Sequence, residues 1–221
     1  MLFRSEDESG DSDTLINRIK SYLYHKGEYR PENELSFAPA LCNRIDRNTC
    51  GIVIAAKNAE SLRILNQKIR DRELTKLYLC IACGKVTPDS ATLTAYLEKN
   101  SDTNTVKISD KKTKSNLTIK TKYKVIAYNG ENSLIKVDLL TGRTHQIRAH
   151  LAYIGHALLG DGKYGNNKLN KKYGFKYQAL CSYELQFKFT TDAGCLSYLD
   201  GKCFKAKAPD FVKMFGGNIK L

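Results

Sequence analysis

The chain has 221 residues, 42% of them hydrophobic, which is enough to build a substantial core and excludes wholesale disorder. Lys and Arg outnumber Asp and Glu by 36 to 23, a formal charge of +13, and a compact surface with that excess attracts polyanions, nucleic acid first. No apolar run approaches the roughly 20 residues that span a bilayer, and seven scattered cysteines, an odd number, point to free thiols, so a soluble cytoplasmic protein is expected.

The first twelve residues are acidic and polar without periodicity and read as a flexible lead-in to a single domain over 13–221. Asp13 offers an N-cap to a helix with Leu15, Ile16, Ile19 and Leu23 at helical spacing, and Gly27 is its stop. A loop with two prolines follows over 28–40, and Gly51–Ala56 reads as a short buried strand. Asn58 can cap a second helix in which Leu62, Leu65 and Ile69 share a face, with Lys68, Arg70 and Arg72 favouring its C-terminal end.

From there the chain turns β-rich. Leu77 to Cys83 reads as one strand, on which Cys80 and Cys83 point to opposite faces, poor geometry for a shared metal. In 117–125 apolar residues alternate with Thr118, Lys120, Lys122 and Lys124, the pattern of a strand with one wet, basic face. Asn129-Gly130 marks a hairpin turn into Leu134–Leu140. A third helix starts near Thr144 with Ile147, Leu151 and Ile154 inward, and Gly155 ends it; a last strand runs through Tyr183, Leu185, Phe187 and Phe189. The class is α+β: a mixed, mostly antiparallel sheet with helices packed on it.

Three segments carry chemistry. Asn43-Arg44-Ile45-Asp46-Arg47-Asn48-Thr49-Cys50-Gly51 sets one carboxylate between two guanidinium groups, which suits a nucleophile or base that must stay ionised and equally suits a surface turn held by ion pairs. Leu140 to Arg148 passes from a strand to a helix N-terminus, where backbone N–H groups meet anions, and is followed by Gly155 to Asp161. His145 and His150 are five apart, neither usual helical ligand spacing, so no metal is expected. Lys76-Leu77-Tyr78 opens a strand with a tyrosine that could simply pack.

Together these segments resemble the RluA-type family of ribosomal large-subunit and related pseudouridine synthases. The family signature Arg-Leu-Asp-x-x-Thr-Ser-Gly is matched by Arg44 to Gly51, with Ile45 and Cys50 as departures. Lys-x-Tyr is matched at Lys76 to Tyr78, Thr-Gly-Arg-x-His-Gln-Ile-Arg at Thr141 to Arg148, and Gly-His-x-Leu-x-Gly-Asp at Gly155 to Asp161. Gln178-Ala179-Leu180 matches a late strand, so the likeness covers roughly 13–210 in order. An early Lys-Pro-x-Gly motif and the N-terminal S4-type domain of many relatives are not in the sequence.

The resemblance implies the synthase catalytic fold and a cofactor-free isomerisation of uridine in structured RNA, most naturally ribosomal RNA, with transfer RNA as a further substrate class. It implies Asp46 as nucleophile, attacking C1′ of the sugar or C6 of the base, with Arg143 pairing to it and Tyr78 stacking on uracil. Arg44 would fill the space left by a flipped nucleotide. Ile147, Arg148 and Lys76 would line the substrate pocket, while Lys120, Lys122, Lys124 and the Lys111-Lys112-Lys114 run would meet phosphates. A monomer is expected. A non-catalytic RNA-binding or ribosome-assembly protein would explain the charge but not these three residues together, and a glycoside hydrolase would need a second carboxylate.

Overall fold

A computed structural model of the chain describes residues 13–33, 36–217 and 219–221. The lead-in expected over the first twelve residues lies outside them. The chain divides into two compact units, Met1–Thr75 with Glu184–Lys205, and Lys76–Tyr183 with Ala206–Leu221.

In the first unit, helix α1 spans Leu15–His25. Its cap is Thr14 and not Asp13: the Thr14 hydroxyl accepts the Asn17 N–H at 3.3 Å, while Asp13, one residue too early, pairs with Arg18 at 2.6 Å. The expected strand over 51–56 divides into β2 (Cys50–Gly51) and β3 (Ala55–Ala56), and β3 pairs with β1 (Ala40–Leu41). Helix α2 (Ala59–Arg70) starts at Asn58, whose side chain accepts the Ser61 N–H at 2.8 Å, and its buried Ile64 and Leu65 pack with Leu185, Phe187 and Leu196.

Lys68 stands in the last turn of α2, as its charge favours, but it is also a core residue. It is 1% exposed, and its ammonium donates to Glu73 at 2.7 Å and to the carbonyl and hydroxyl oxygens of Thr191 at 2.6 and 2.7 Å. All three donors are therefore used, which is the condition for burying a charge. The Lys68 ammonium, with the Thr191 and Thr190 groups, holds the Glu73 carboxyl down at about 2.

The second unit is built on β4 (Leu74–Cys83), β5 (Ser90–Asn100), β6 (Thr105–Ser109), β7 (Leu117–Tyr128) and β8 (Asn132–Leu139), in the antiparallel order β4-β8-β7-β5-β6. β5 and β6 lie where the sequence pattern predicts no element. β4 is buried on both sides. Tyr78, Cys80 and Ala82 pack with Val137, Ile147 and Leu151, whereas Ile81 packs with Leu159 and Ala179 under Phe211 and Phe215. β7 follows its alternation from Ile119 onward, with Ile119, Thr121 and Tyr123 buried and Lys120, Lys122 and Lys124 exposed, whereas Leu117 at its start is exposed. The Asn129-Gly130 turn closes the β7–β8 hairpin: Asn129 Oδ1 accepts the N–H groups of Glu131 and Asn132 at 3.2 and 2.8 Å, and Gly130 has φ +93°.

Helix α3 runs Gln146–Tyr153, beginning two residues later than Thr144, and α4 (Asn167–Lys172) is capped by Asn166. β9 (Leu180–Phe187) stops before Phe189, and β10 (Cys203–Lys205) pairs with its end. The α+β reading holds, with sheet and helices as expected in class.

Candidate functional site

The Asp46 segment belongs to the first unit. Its ends are cinched where Cys42 N–H donates to the Ile54 carbonyl at 2.8 Å and Ile54 N–H donates to Asn43 Oδ1 at 2.7 Å. Between these ties the Asp46 carbonyl accepts the Thr49 N–H at 2.9 Å, closing a turn with Asn48 at φ +67°. Asparagine tolerates that left-handed conformation better than most side-chain-bearing residues, which suits Asn48 to this turn of the chain. Asp46 is half-buried, Thr49 is buried, and Arg44 and Arg47 are exposed. A carboxylate is thus presented on a short, braced loop between two solvent-facing guanidinium groups.

The remaining residues belong to the second unit. Tyr78 is 6% exposed on β4, opposite Val137, in the same core cluster as Ile147, which is 4% exposed. Lys76, half-buried at the start of this unit, has its ammonium pKa lowered by burial. Arg143 is exposed, on the turn between β8 and α3.

That turn is fastened by Gln146, which is 1% exposed. Its Oε1 accepts the Thr141 hydroxyl at 2.8 Å and the Arg143 N–H at 3.1 Å, and its Nε2 donates to the Lys120 carbonyl at 3.0 Å and the Thr121 hydroxyl at 2.9 Å. Both acceptor sites and both donors of the amide are used. The next residue back, His145, sits at φ +52° and shares a 2.9 Å hydrogen bond with the Tyr164 hydroxyl, which itself accepts the Val106 N–H at 2.9 Å. A left-handed histidine costs of order 1 kcal/mol, sustained here by a fixed environment.

Arg148 is held by Asp161 through two bonds, Nε to Oδ2 at 2.7 Å and a terminal nitrogen to Oδ1 at 2.9 Å. Asp161 is fully buried and also accepts the N–H groups of Lys163 and Tyr164 at 2.8 and 3.1 Å. Burial pushes the Asp161 carboxyl up, but Arg148 and the two N–H groups outweigh it and hold it below its ordinary value. The guanidinium expected to line a pocket is therefore engaged inside the fold. Gly160, just before Asp161, has φ +81°, and a Cβ there would stand 2.0 Å from the Tyr177 carbonyl oxygen, so only glycine fits.

Gln146, Asp161 and Tyr164 carry this framework, and sequence reasoning assigned them no role. The missed signal is that α3 is buried on every side from Gln146 to Leu151, so each polar residue among those six had to find a partner. The helical spacing alone predicts only its Ile147, Leu151 and Ile154 stripe inside.

A family model described as RNA pseudouridylate synthase matches residues 9–153, which include both the Asp46 turn and the Arg143 turn. The chain is 38% identical over 182 residues to the uncharacterized RNA pseudouridine synthase MG370 of Mycoplasma genitalium, covering 79% of this chain and 55% of that protein. It is 32% identical over 154 residues to ribosomal large subunit pseudouridine synthase D of Borreliella burgdorferi, covering 69% and 46%. The chain thus spans about half the length of these relatives. The human RNA pseudouridylate synthase domain containing 4 shares its fold, with a TM-score of 0.71 over 96% of this chain and 84% of that one at 18% identity. The motifs, the fold and the matched span agree: this chain belongs to the RNA pseudouridylate synthase family, in its RluA-type branch.

Proposed function

We propose that this protein converts specific uridines of structured RNA, ribosomal RNA first and transfer RNA as a further class, to pseudouridine, with Asp46 as the nucleophile. The observation that carries the reading is the family match across 9–153, a span that includes the Asp46 turn and the Thr141–Arg148 motif. In the reaction the N1–C1′ bond breaks, a C5–C1′ bond forms, the C5 proton leaves and N1 gains one. No net electron transfer occurs, so the chain's own side chains suffice in kind.

Asp46 attacks either C1′ or C6; both routes use the same carboxylate. Arg143 holds that carboxylate ionised and oriented, a task for which a planar guanidinium is better shaped than an ammonium. Tyr78 stacks on the uracil and takes part in proton transfer, and Arg44 fills the gap left by the flipped nucleotide. Lys76 and Ile147 border the base, and Arg148 acts behind them through Asp161. The protein works as a cytoplasmic monomer without cofactor.

Asp46→Asn removes the anionic nucleophile while keeping size and most hydrogen bonding. Ribosomal and transfer RNA from cells lacking the protein, incubated with either form and mapped for pseudouridine, should gain it at defined positions with the native protein only. Turnover by the Asp46→Asn form would overturn the assignment, and RNA binding without turnover by the native protein would favour a non-catalytic role.

A further inference from the structure

The outer face of the second unit's sheet carries a feature that the reaction does not use. On β7, Lys120, Lys122 and Lys124 are exposed at alternate positions, so their stems leave the sheet roughly 7 Å apart on one side. Across the β5–β7 pairing they stand directly opposite Thr94, Thr92 and Ser90, all exposed. The Cβ atoms of each pair are thereby about 5 Å apart, so every lysine stem rises beside a hydroxyl that can donate and accept. Among the described residues none of the three lysines has a salt bridge closer than 4 Å.

The basic run at 111–114 joins the same face. Lys112 lies over the Tyr96 ring at 5.5 Å, and Ser115 donates to Glu98 at 2.8 Å. Tyr96 and Glu98 continue the Ser90, Thr92 and Thr94 side of β5, since alternate residues share a face. Two carboxylates border the row: Glu98 is engaged by Ser115, and Asp138, half-buried, stands across from Lys122 on β8.

We propose that this lysine–hydroxyl ladder is a track for the sugar–phosphate backbone of double-helical RNA. A face that gripped single strands would need exposed rings on which unstacked bases could lie. Here the exposed partners of the lysines are hydroxyls, and Tyr96, the aromatic residue at the end of the row, is covered by Lys112. Ammonium groups suit phosphates, and threonine and serine hydroxyls suit 2′-hydroxyls, which a duplex displays along its wide minor groove. The proposal rests on the synthase reading only in taking RNA as the partner.

The test compares the full chain with Lys120→Gln/Lys122→Gln/Lys124→Gln and with a control of equal charge loss, Lys168→Gln/Lys171→Gln/Lys176→Gln, three exposed lysines in and after α4. Probes are a 20-base-pair RNA duplex and an unpaired oligomer of adenosine and cytidine, with affinity read by fluorescence anisotropy across a salt series. The ladder variant should bind the duplex about tenfold more weakly near 0.1 M salt, with a log–log salt slope shallower by roughly 2.7, three contacts' worth, and should bind the single strand nearly as before. Three results overturn the proposal: an unchanged slope, an equal loss in the control, or an equal loss for the single strand. Pseudouridine formation on a short hairpin is scored in parallel. Absent turnover with the duplex-selective pattern intact would strike the synthase reading and leave the ladder standing, whereas intact turnover without that pattern would strike only the ladder.

Discussion

The backbone N–H of Arg143 donates to Oε1 of Gln146 at 3.1 Å, and the Gln146 N–H returns a bond of the same length to the Arg143 carbonyl. The turn presenting Arg143 is therefore held from inside the fold, by a side chain that reaches no solvent.

Gln146→Ala should unfasten it. The substitution leaves the Arg143 N–H and the Lys120 carbonyl without their amide partner, a cost of about 2–3 kcal/mol. Chemical denaturation should show that loss, and hydrogen exchange at Arg143 should quicken. Pseudouridine formation should fall more than RNA affinity, because the turn carries Arg143 rather than the bulk of the phosphate contacts.

Arg143→Lys keeps a positive charge but loses the planar fork. The expected outcome is a large drop in single-turnover rate with a smaller change in RNA affinity. Tyr78→Phe should likewise cost turnover more than binding. Near-normal turnover in the Arg143 variant would reduce that residue to a phosphate contact.

Asp161→Asn should be among the most damaging changes in the chain. It strips the countercharge from a guanidinium that is 6% exposed, and breaking a buried pair costs about 3–5 kcal/mol. Replacing both partners with apolar residues, Arg148→Met with Asp161→Leu, should recover part of that loss in a denaturant melt. Recovery would mark the pair as structural; a double variant as unstable as Asp161→Asn would show that the partners do separate work.

Acid should weaken the second unit through His150. Burial lowers its imidazole to about 4 from the usual 6.5, and its Nδ1 lies 3.0 Å from the Thr121 hydroxyl that Gln146 also engages. Between those values the unfolded chain binds a proton that the folded one refuses, so stability is whole above about 6.5 and declines as pH falls toward 4. Thermal melts across that range should report the uptake of about one proton on unfolding near pH 5. The Glu73 carboxyl acts at lower pH, its contribution fading from about 4.5 down to about 2.

Much of this was legible in the residues because local signals and tertiary packing agreed. Asn58 capped a helix and Asn129-Gly130 turned a hairpin, each through bonds that its own side chain or backbone can make. The motif segments were legible as segments, since a turn with Asn48 at positive φ or a glycine at 160 constrains neighbours along the chain. What could not be read was partnership across distance. Nothing near Lys68 announces Thr191, and nothing near Arg148 announces that its fork is filled by Asp161. β4 illustrates the same limit: a strand there was plain, but burial on both faces depends on segments more than 60 residues away, such as Ile147 and Ala179.

The Lys68 ammonium also bears on how the protein is made. Two of its three acceptors come from Thr191, 123 residues further along. On a ribosome, α2 is complete long before that acceptor exists, and a chain halted at Tyr183 would have to keep the ammonium in water or leave it short of partners. The whole stretch from Lys76 to Tyr183 emerges in the interval. The Lys76–Tyr183 part of the second unit can therefore begin to assemble while the first still waits for its closing segment, and Ala206–Leu221 is added to it last.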